Sequence, residues 1–183
     1  MITRKLLLAA AAMLVASPVA AHNVQASPDF TKTKPYGPYE FLIGDWYSSL
    51  PQEHAVIHQQ FGWGPGKGSI AHATYIDMAG KPEHLHFGGT MIWNGKTHAV
   101  DYLFAVEPGS GVEASGTFTA APDGSITREV AETYPDGKII RTRQTFHALA
   151  DGTVKMDLLS QTPKGWVSAL PGGAMLMSRT APQ

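Results

Sequence analysis

The chain has no cysteine. In an exported protein this excludes disulfide staples, thiol redox chemistry and thiolate metal sites, and with them the lipid-modified cysteine of a bacterial lipoprotein. An excess of basic charge is also missing. The 14 Lys and Arg stand against 15 Asp and Glu, with no Lys/Arg run, so nucleic acid is not an expected partner. There is no Gly-x-Ser-x-Gly elbow of a serine hydrolase. Gly66-Lys67-Gly68-Ser69 lacks the spacing of a phosphate loop and reads as a hairpin turn. No segment carries a helical period longer than a turn or two. Beyond the N-terminus no long apolar run exists, so no membrane span is expected.

The N-terminus reads as a cleavable signal peptide over residues 1–21. Arg4 and Lys5 supply the positive start, residues 6–16 an apolar stretch too short to span a bilayer, and Val19-Ala20-Ala21 a small-residue cleavage site. Its removal takes away two basic and no acidic side chains and leaves a net-negative mature chain of single-domain size. The expected location is a periplasm or the medium. Residues 22–40, rich in Pro, Lys, Thr and Tyr, read as an extended arm, with Tyr36-Gly37-Pro38-Tyr39 as a loose lead-in and packing over a barrel opening as its alternative.

From Phe41 to about residue 181 the chain repeats one pattern. Segments of β-branched and aromatic residues alternate with turn signals such as Gly64-Pro65-Gly66, Asn94-Gly95, Asp123-Gly124, Pro135-Asp136-Gly137 and Asp151-Gly152. The spacing predicts strands near 41–49, 54–63, 69–77, 84–93, 96–106, 112–120, 125–134, 138–148, 153–162 and 166–180, the last interrupted at Pro171-Gly172-Gly173. Regular sequential hairpins make an all-β, up-and-down antiparallel sheet. Closing about ten strands into a single barrel removes the exposed edges that an open sheet would leave.

The first strand opens with Phe41-Leu42-Ile43-Gly44-Asp45-Trp46, and Arg179 lies in the last. In a closed barrel these strands are neighbours, and the guanidinium can stack on the indole. Gly44, Trp46 and Arg179 together resemble the lipocalin (calycin) superfamily, where a Gly-x-Trp on the first strand meets an arginine from the last. The Phe-Leu-x-Gly-x-Trp opening is similar to that of bacterial exported lipocalin-like domains of unknown function. The resemblance implies a β-barrel whose interior can serve as a container. Some barrels of this kind bind haem through a histidine near the end of the chain. Here the last two predicted strands contain none, and no cofactor is expected.

Two turns fix a register. Asn94-Gly95 suits a two-residue hairpin loop, pairing Trp93 with Lys96, Met91 with His98, Phe87 with Tyr102 and Leu85 with Phe104. That face is apolar and is expected to point inward, leaving His84, His86 and Asp101 outside. Pro135-Asp136-Gly137 suits a three-residue loop, pairing Tyr134 with Lys138, Glu132 with Ile140, Arg128 with Gln144 and Ile126 with Phe146. Its other face holds Glu129 opposite Arg143, a solvated pair.

An apolar wall with a few convergent polar groups is the usual makeup of a small-molecule site. The expected function is therefore that of an exported soluble barrel binding a small, largely apolar molecule. The lining residues would be Phe87, Met91, Tyr102, Phe104, Arg128, Glu132 and Phe146, with Arg128 meeting an anionic or carbonyl group and Glu132 or Gln144 orienting it. An alternative is a cofactor-free isomerase or lyase using Glu132, His98 or Tyr102 for proton transfer. Another is an envelope interaction module with a filled barrel. A metal set of His84, His86 and Asp101 is a weaker alternative. Oligomeric state is not legible here.

Overall fold

The computed structural model describes residues 35–182 apart from 80 and 171. The proposed signal peptide and residues 22–34 of the arm lie outside the described residues. β-Branched and aromatic residues with period-2 burial build eleven strand segments. They are β1 (Gly44–Leu50), β2 (Ala55–Trp63), β3 (Ile70–Met78), β4 (His84–Asn94), β5 (Ala99–Val106), β6 (Val112–Ala120), β7 (Ile126–Thr133), β8 (Ile139–Ala148), β9 (Val154–Thr162), β10 (Gly165–Ser168) and β11 (Ala174–Met177). Each strand from β1 to β10 pairs antiparallel with the next, giving one strongly curled up-and-down sheet.

β10 pairs with Leu159–Thr162 and β11 with Val154–Asp157 of β9. They are two halves of one strand, broken where the sequence places Pro171-Gly172-Gly173. Just past β11, Tyr47 and Ser178 exchange both backbone hydrogen bonds, at 2.8 and 2.9 Å. This bridge ties the last segment to β1. Higher up, among the described residues, β10 has no partner toward β1. A lateral cleft of about 410 Å³ lies between the end of β1 and β11, lined by Ser49, Leu50, Leu170 and Met175. Among the described residues no helix is long and apolar enough to cross a membrane.

One end of the curled sheet is sealed. Gly37–Leu42 forms a 3₁₀ turn, not the loose lead-in that its composition suggests. It carries aromatic side chains with polar tips, which bury well when each tip finds a partner. The Tyr39 hydroxyl donates to the Phe118 carbonyl at 3.0 Å. The Tyr36 hydroxyl donates to the Gly68 carbonyl at 2.8 Å and accepts from the Trp93 N–H at 2.7 Å. Leu42 is fully buried, and the Trp46 indole N–H donates to its carbonyl at 2.7 Å. Beneath Trp46 the Arg179 guanidinium stacks 3.6 Å from the ring centroid and donates to the Phe41 carbonyl at 2.9 Å. Gly44 sits at φ +113°, and a Cβ there would collide with that guanidinium. The backbone conformation calls for glycine, and a side chain there would also displace the guanidinium from the indole.

Above this floor Phe61, Ile70, Met91, Val100, Tyr102, Phe118, Ile126, Phe146, Met156 and Met177 are all almost fully buried and form one cluster. Higher still, the inward positions Ile57, Phe87, Phe104, Ile140 and Leu158 are only half-buried. The interior is therefore tightly packed at the sealed end and less completely covered at the other. The mouth is bounded by the β3–β4, β5–β6 and β7–β8 connections.

Candidate functional site

The β7–β8 hairpin places the centre of the site. Gly137, at φ +83°, supplies the left-handed residue of its three-residue loop, and Tyr134 bonds back to Lys138. The expected register follows: Glu132 opposite Ile140, Arg128 opposite Gln144, Ile126 opposite Phe146. On the outer face Arg143 donates to Glu129 at 2.7 Å, as the pattern predicts.

Arg128 is 3 % exposed and points into the barrel. Its guanidinium lies 5.5 Å from the ring centroid of Phe87 and 5.6 Å from those of Tyr102 and Phe118. Nε and Nη1 are buried without a hydrogen-bond partner among the described residues. Burial lowers its pKa, while Tyr102 and Glu132 oppose that shift. A guanidinium keeps its charge in proteins, so the site holds a desolvated cation with aromatic faces around it and free N–H donors. The Oε1 atoms of Gln144, opposite it, and of Gln59 are likewise buried and unpaired.

Beside this cation runs a short polar chain. His72 Nδ1 lies 2.6 Å from the Tyr102 hydroxyl, and its Nε2 lies 3.2 Å from Thr74 Oγ1. The imidazole stacks on Phe61 with centroids 4.2 Å apart. Burial, reinforced by the Arg128 charge, drives the His72 pKa well below its ordinary value. The ring is thus neutral, with one donor and one acceptor nitrogen, and the two hydrogen bonds use both. Burial pushes the Tyr102 phenol up to about 12. Room for these rings comes from Gly89, which stands between His72 and Phe104, and from Gly116, between Tyr102 and Val130.

His72 gives the fold a pH dependence of definite sign. Its folded pKa lies below that of the unfolded chain, so between the two values the unfolded chain binds more protons. The contribution is complete above about pH 6.5 and is lost as pH falls toward the folded value. Urea unfolding at pH 7 and pH 5 should show a loss on acidification that is smaller in His72→Gln. An equal loss in both proteins would assign the acid sensitivity to other groups.

The first hairpin differs from its sequence reading. Asn94 pairs with Ala99, Met91 with Tyr102 and Phe87 with Val106. The turn holds four residues, because Asn94 Oδ1 accepts the backbone N–H groups of Lys96 and Thr97. The register moves by four, an even number, so Phe87, Met91, Tyr102 and Phe104 keep the inward face. His98 does not. It ends the turn, exposed, at φ +52°, which removes it as an interior acid–base residue. Asp101 lies outside, hydrogen-bonded to Asn94 at 2.8 Å.

A β-bulge changes the other two candidates. Thr74 pairs with Phe87 but Tyr75 with Leu85, leaving His86 without a partner on β3. The extra residue reverses the alternation between it and the mouth. Leu85 turns outward beside Gly88. His84 pairs with Ile76, on the inward side, and the His86 and Phe87 rings lie 5.2 Å apart. His84 and His86 thus belong to the mouth, and their acidic neighbour is Glu107, not Asp101.

Of the expected lining, Phe87, Phe104 and Glu132 reach the mouth, Tyr102 and Arg128 lie just below, and Met91 and Phe146 belong to the packed cluster. Glu132 accepts a hydrogen bond from the Tyr134 hydroxyl at 3.2 Å. His72 was not singled out in sequence, although the alternation Ile70-x-His72-x-Thr74-x-Ile76 carries it on an otherwise inward face. No family model matches the chain and no curated protein does, so the functional reading comes from this geometry.

Proposed function

We propose that this chain is an exported, lipocalin-like protein that holds a small, largely apolar molecule in its barrel, with an anionic or carbonyl group of that molecule on Arg128. The observation that carries the reading is a guanidinium 3 % exposed, surrounded by the rings of Phe87, Tyr102 and Phe118, whose Nε and Nη1 have no partner among the described residues. A buried charge without a partner is costly by several kcal/mol, and a ligand carboxylate or carbonyl would supply the missing acceptors. Gln144 lies opposite, where it can orient that group. The Arg179–Trp46 stack beside Gly44 supports the lipocalin-like reading. The charged, apolar and small-residue segments of the N-terminus support export.

Dodecanoate and dodecanol, which share a tail and differ in the head group, test this by calorimetry. Dodecanoate should bind more tightly, and Arg128→Gln should abolish the difference. Failure of both to bind, or equal affinity in the unaltered protein, would reject the reading. Native mass spectrometry of protein recovered from the periplasm should also show a co-purifying small molecule.

The 2.6 Å His72–Tyr102 contact favours a second reading, a cofactor-free isomerase or lyase acting in the same cavity. A neutral imidazole held beside a cation can move a proton next to a carboxylate or carbonyl seated on Arg128. Turnover that disappears in His72→Gln while binding survives would select it.

A further inference from the structure

At the mouth, His84 and His86 of β4 and Glu107 at the end of β5 bring one donor atom each within 4.8 Å of one another. It is the one such grouping of three among the described residues. Three features of the backbone assemble it. The bulge at His86 puts both histidines on the inward side of one strand, which regular alternation around Phe87 would not do. The Glu107 N–H donates to the His86 carbonyl at 2.6 Å, which fixes the turn beside the bulge. Glu107 itself is held at φ +41°, outside the strand conformation.

The His86 Nδ1 atom is buried and has no hydrogen-bond partner among the described residues. It stands 3.5 Å from Glu107 Oε1, without the geometry of a hydrogen bond. A buried ring nitrogen aimed at a carboxylate it does not bond is an unused ligand position. The other histidine–carboxylate contacts are different in kind. His58 on the outer face has both ring nitrogens engaged, by Asp45 at 2.9 Å and Glu83 at 3.4 Å, and is sandwiched between Tyr47 and Tyr75. His147 Nε2 lies 3.6 Å from Asp157 on the outer face.

We propose that His84, His86 and Glu107 form a binding site for a first-row divalent metal ion, with zinc the natural occupant of two imidazole nitrogens and one carboxylate oxygen. Ligand bonds of about 2.0–2.2 Å draw the three donors closer than they stand now. Small side-chain rotations achieve this at an exposed rim. Three protein ligands leave at least one position open. The site is separate from Arg128 and uses none of its contacts, so its test stands apart from that of the proposed ligand.

Tag-free protein titrated with zinc chloride at pH 7.5 should bind one ion per chain at this site. Cobalt chloride should give the visible d–d absorption of a low-coordinate nitrogen and oxygen site. His84→Gln, His86→Gln and Glu107→Gln should each weaken zinc by at least about tenfold, and Asp101→Asn should not. Circular dichroism should stay unchanged in all four, since the substituted groups lie at the rim or outer surface. Absence of zinc binding would overturn the proposal. So would binding that persists unchanged in the His84→Gln/His86→Gln double variant, which would place the ion on other histidines.

Discussion

Replacing Arg128 with methionine is expected to stabilise the ligand-free protein by about 1–4 kcal/mol and to remove its preference for carboxylates. In the unfolded chain the guanidinium is fully hydrated. Folding strips that water and returns three ring faces at 5.5–5.6 Å, with no hydrogen bond to Nε or Nη1 from the described residues. Cation–π attraction offsets part of the loss and does not replace missing acceptors. Methionine fills similar space, makes its own contacts with aromatic rings and has no donors to leave unsatisfied. Urea unfolding with and without dodecanoate checks both halves. The unaltered protein should gain stability with the fatty acid by mass action, and Arg128→Met should not. A variant several kcal/mol less stable than the original would make Arg128 a satisfied structural cation and the barrel a filled one.

The Arg128 centre was legible in sequence because its hairpin declares its own register. Pro135-Asp136-Gly137 admits a three-residue loop with one left-handed glycine, and every pair beyond it follows by counting. The 84–106 hairpin shows the limit of that method. Asn94-Gly95 has the composition of a two-residue turn, yet Asn94 uses its side chain to hold a four-residue one. Only the evenness of the shift preserved the face assignment. The bulge at His86 has no signature in composition and shows only in the pairing of β4 with β3. It therefore inverted the placing of His84 and hid Glu107. The 3₁₀ lid was ambiguous for another reason. Proline, glycine and tyrosine suit an exposed arm as well as a plug, and only the partners of the two tyrosine hydroxyls, far along the chain, decide between them.

Trp46→Ala is expected to cost about 3–5 kcal/mol, the range for truncating a large buried aromatic. The indole is 3 % exposed and joins three pieces of chain that meet nowhere else in sequence. It packs in the core cluster, its N–H holds the Leu42 carbonyl of the lid, and its face carries Arg179 from beyond β11. Losing it leaves a cavity, frees the lid and removes the stack that flanks the Tyr47–Ser178 bridge. Arg179→Ala should cost much less, about 1–2 kcal/mol, because the arginine itself remains largely in water. A double-mutant cycle should give a coupling above about 0.5 kcal/mol, as expected of groups in contact. Chemical denaturation measures all three. The same proteins separate closure from binding. Trp46 lies at the sealed end and Arg128 below the mouth, so at temperatures where it is folded Trp46→Ala should still prefer dodecanoate to dodecanol. Arg128→Met should show the reverse pattern, a firmer barrel with no preference. If Trp46→Ala lost the preference while remaining folded, the sealed end would be part of the ligand site, and the division between a packed floor and a binding region beneath the mouth would be wrong.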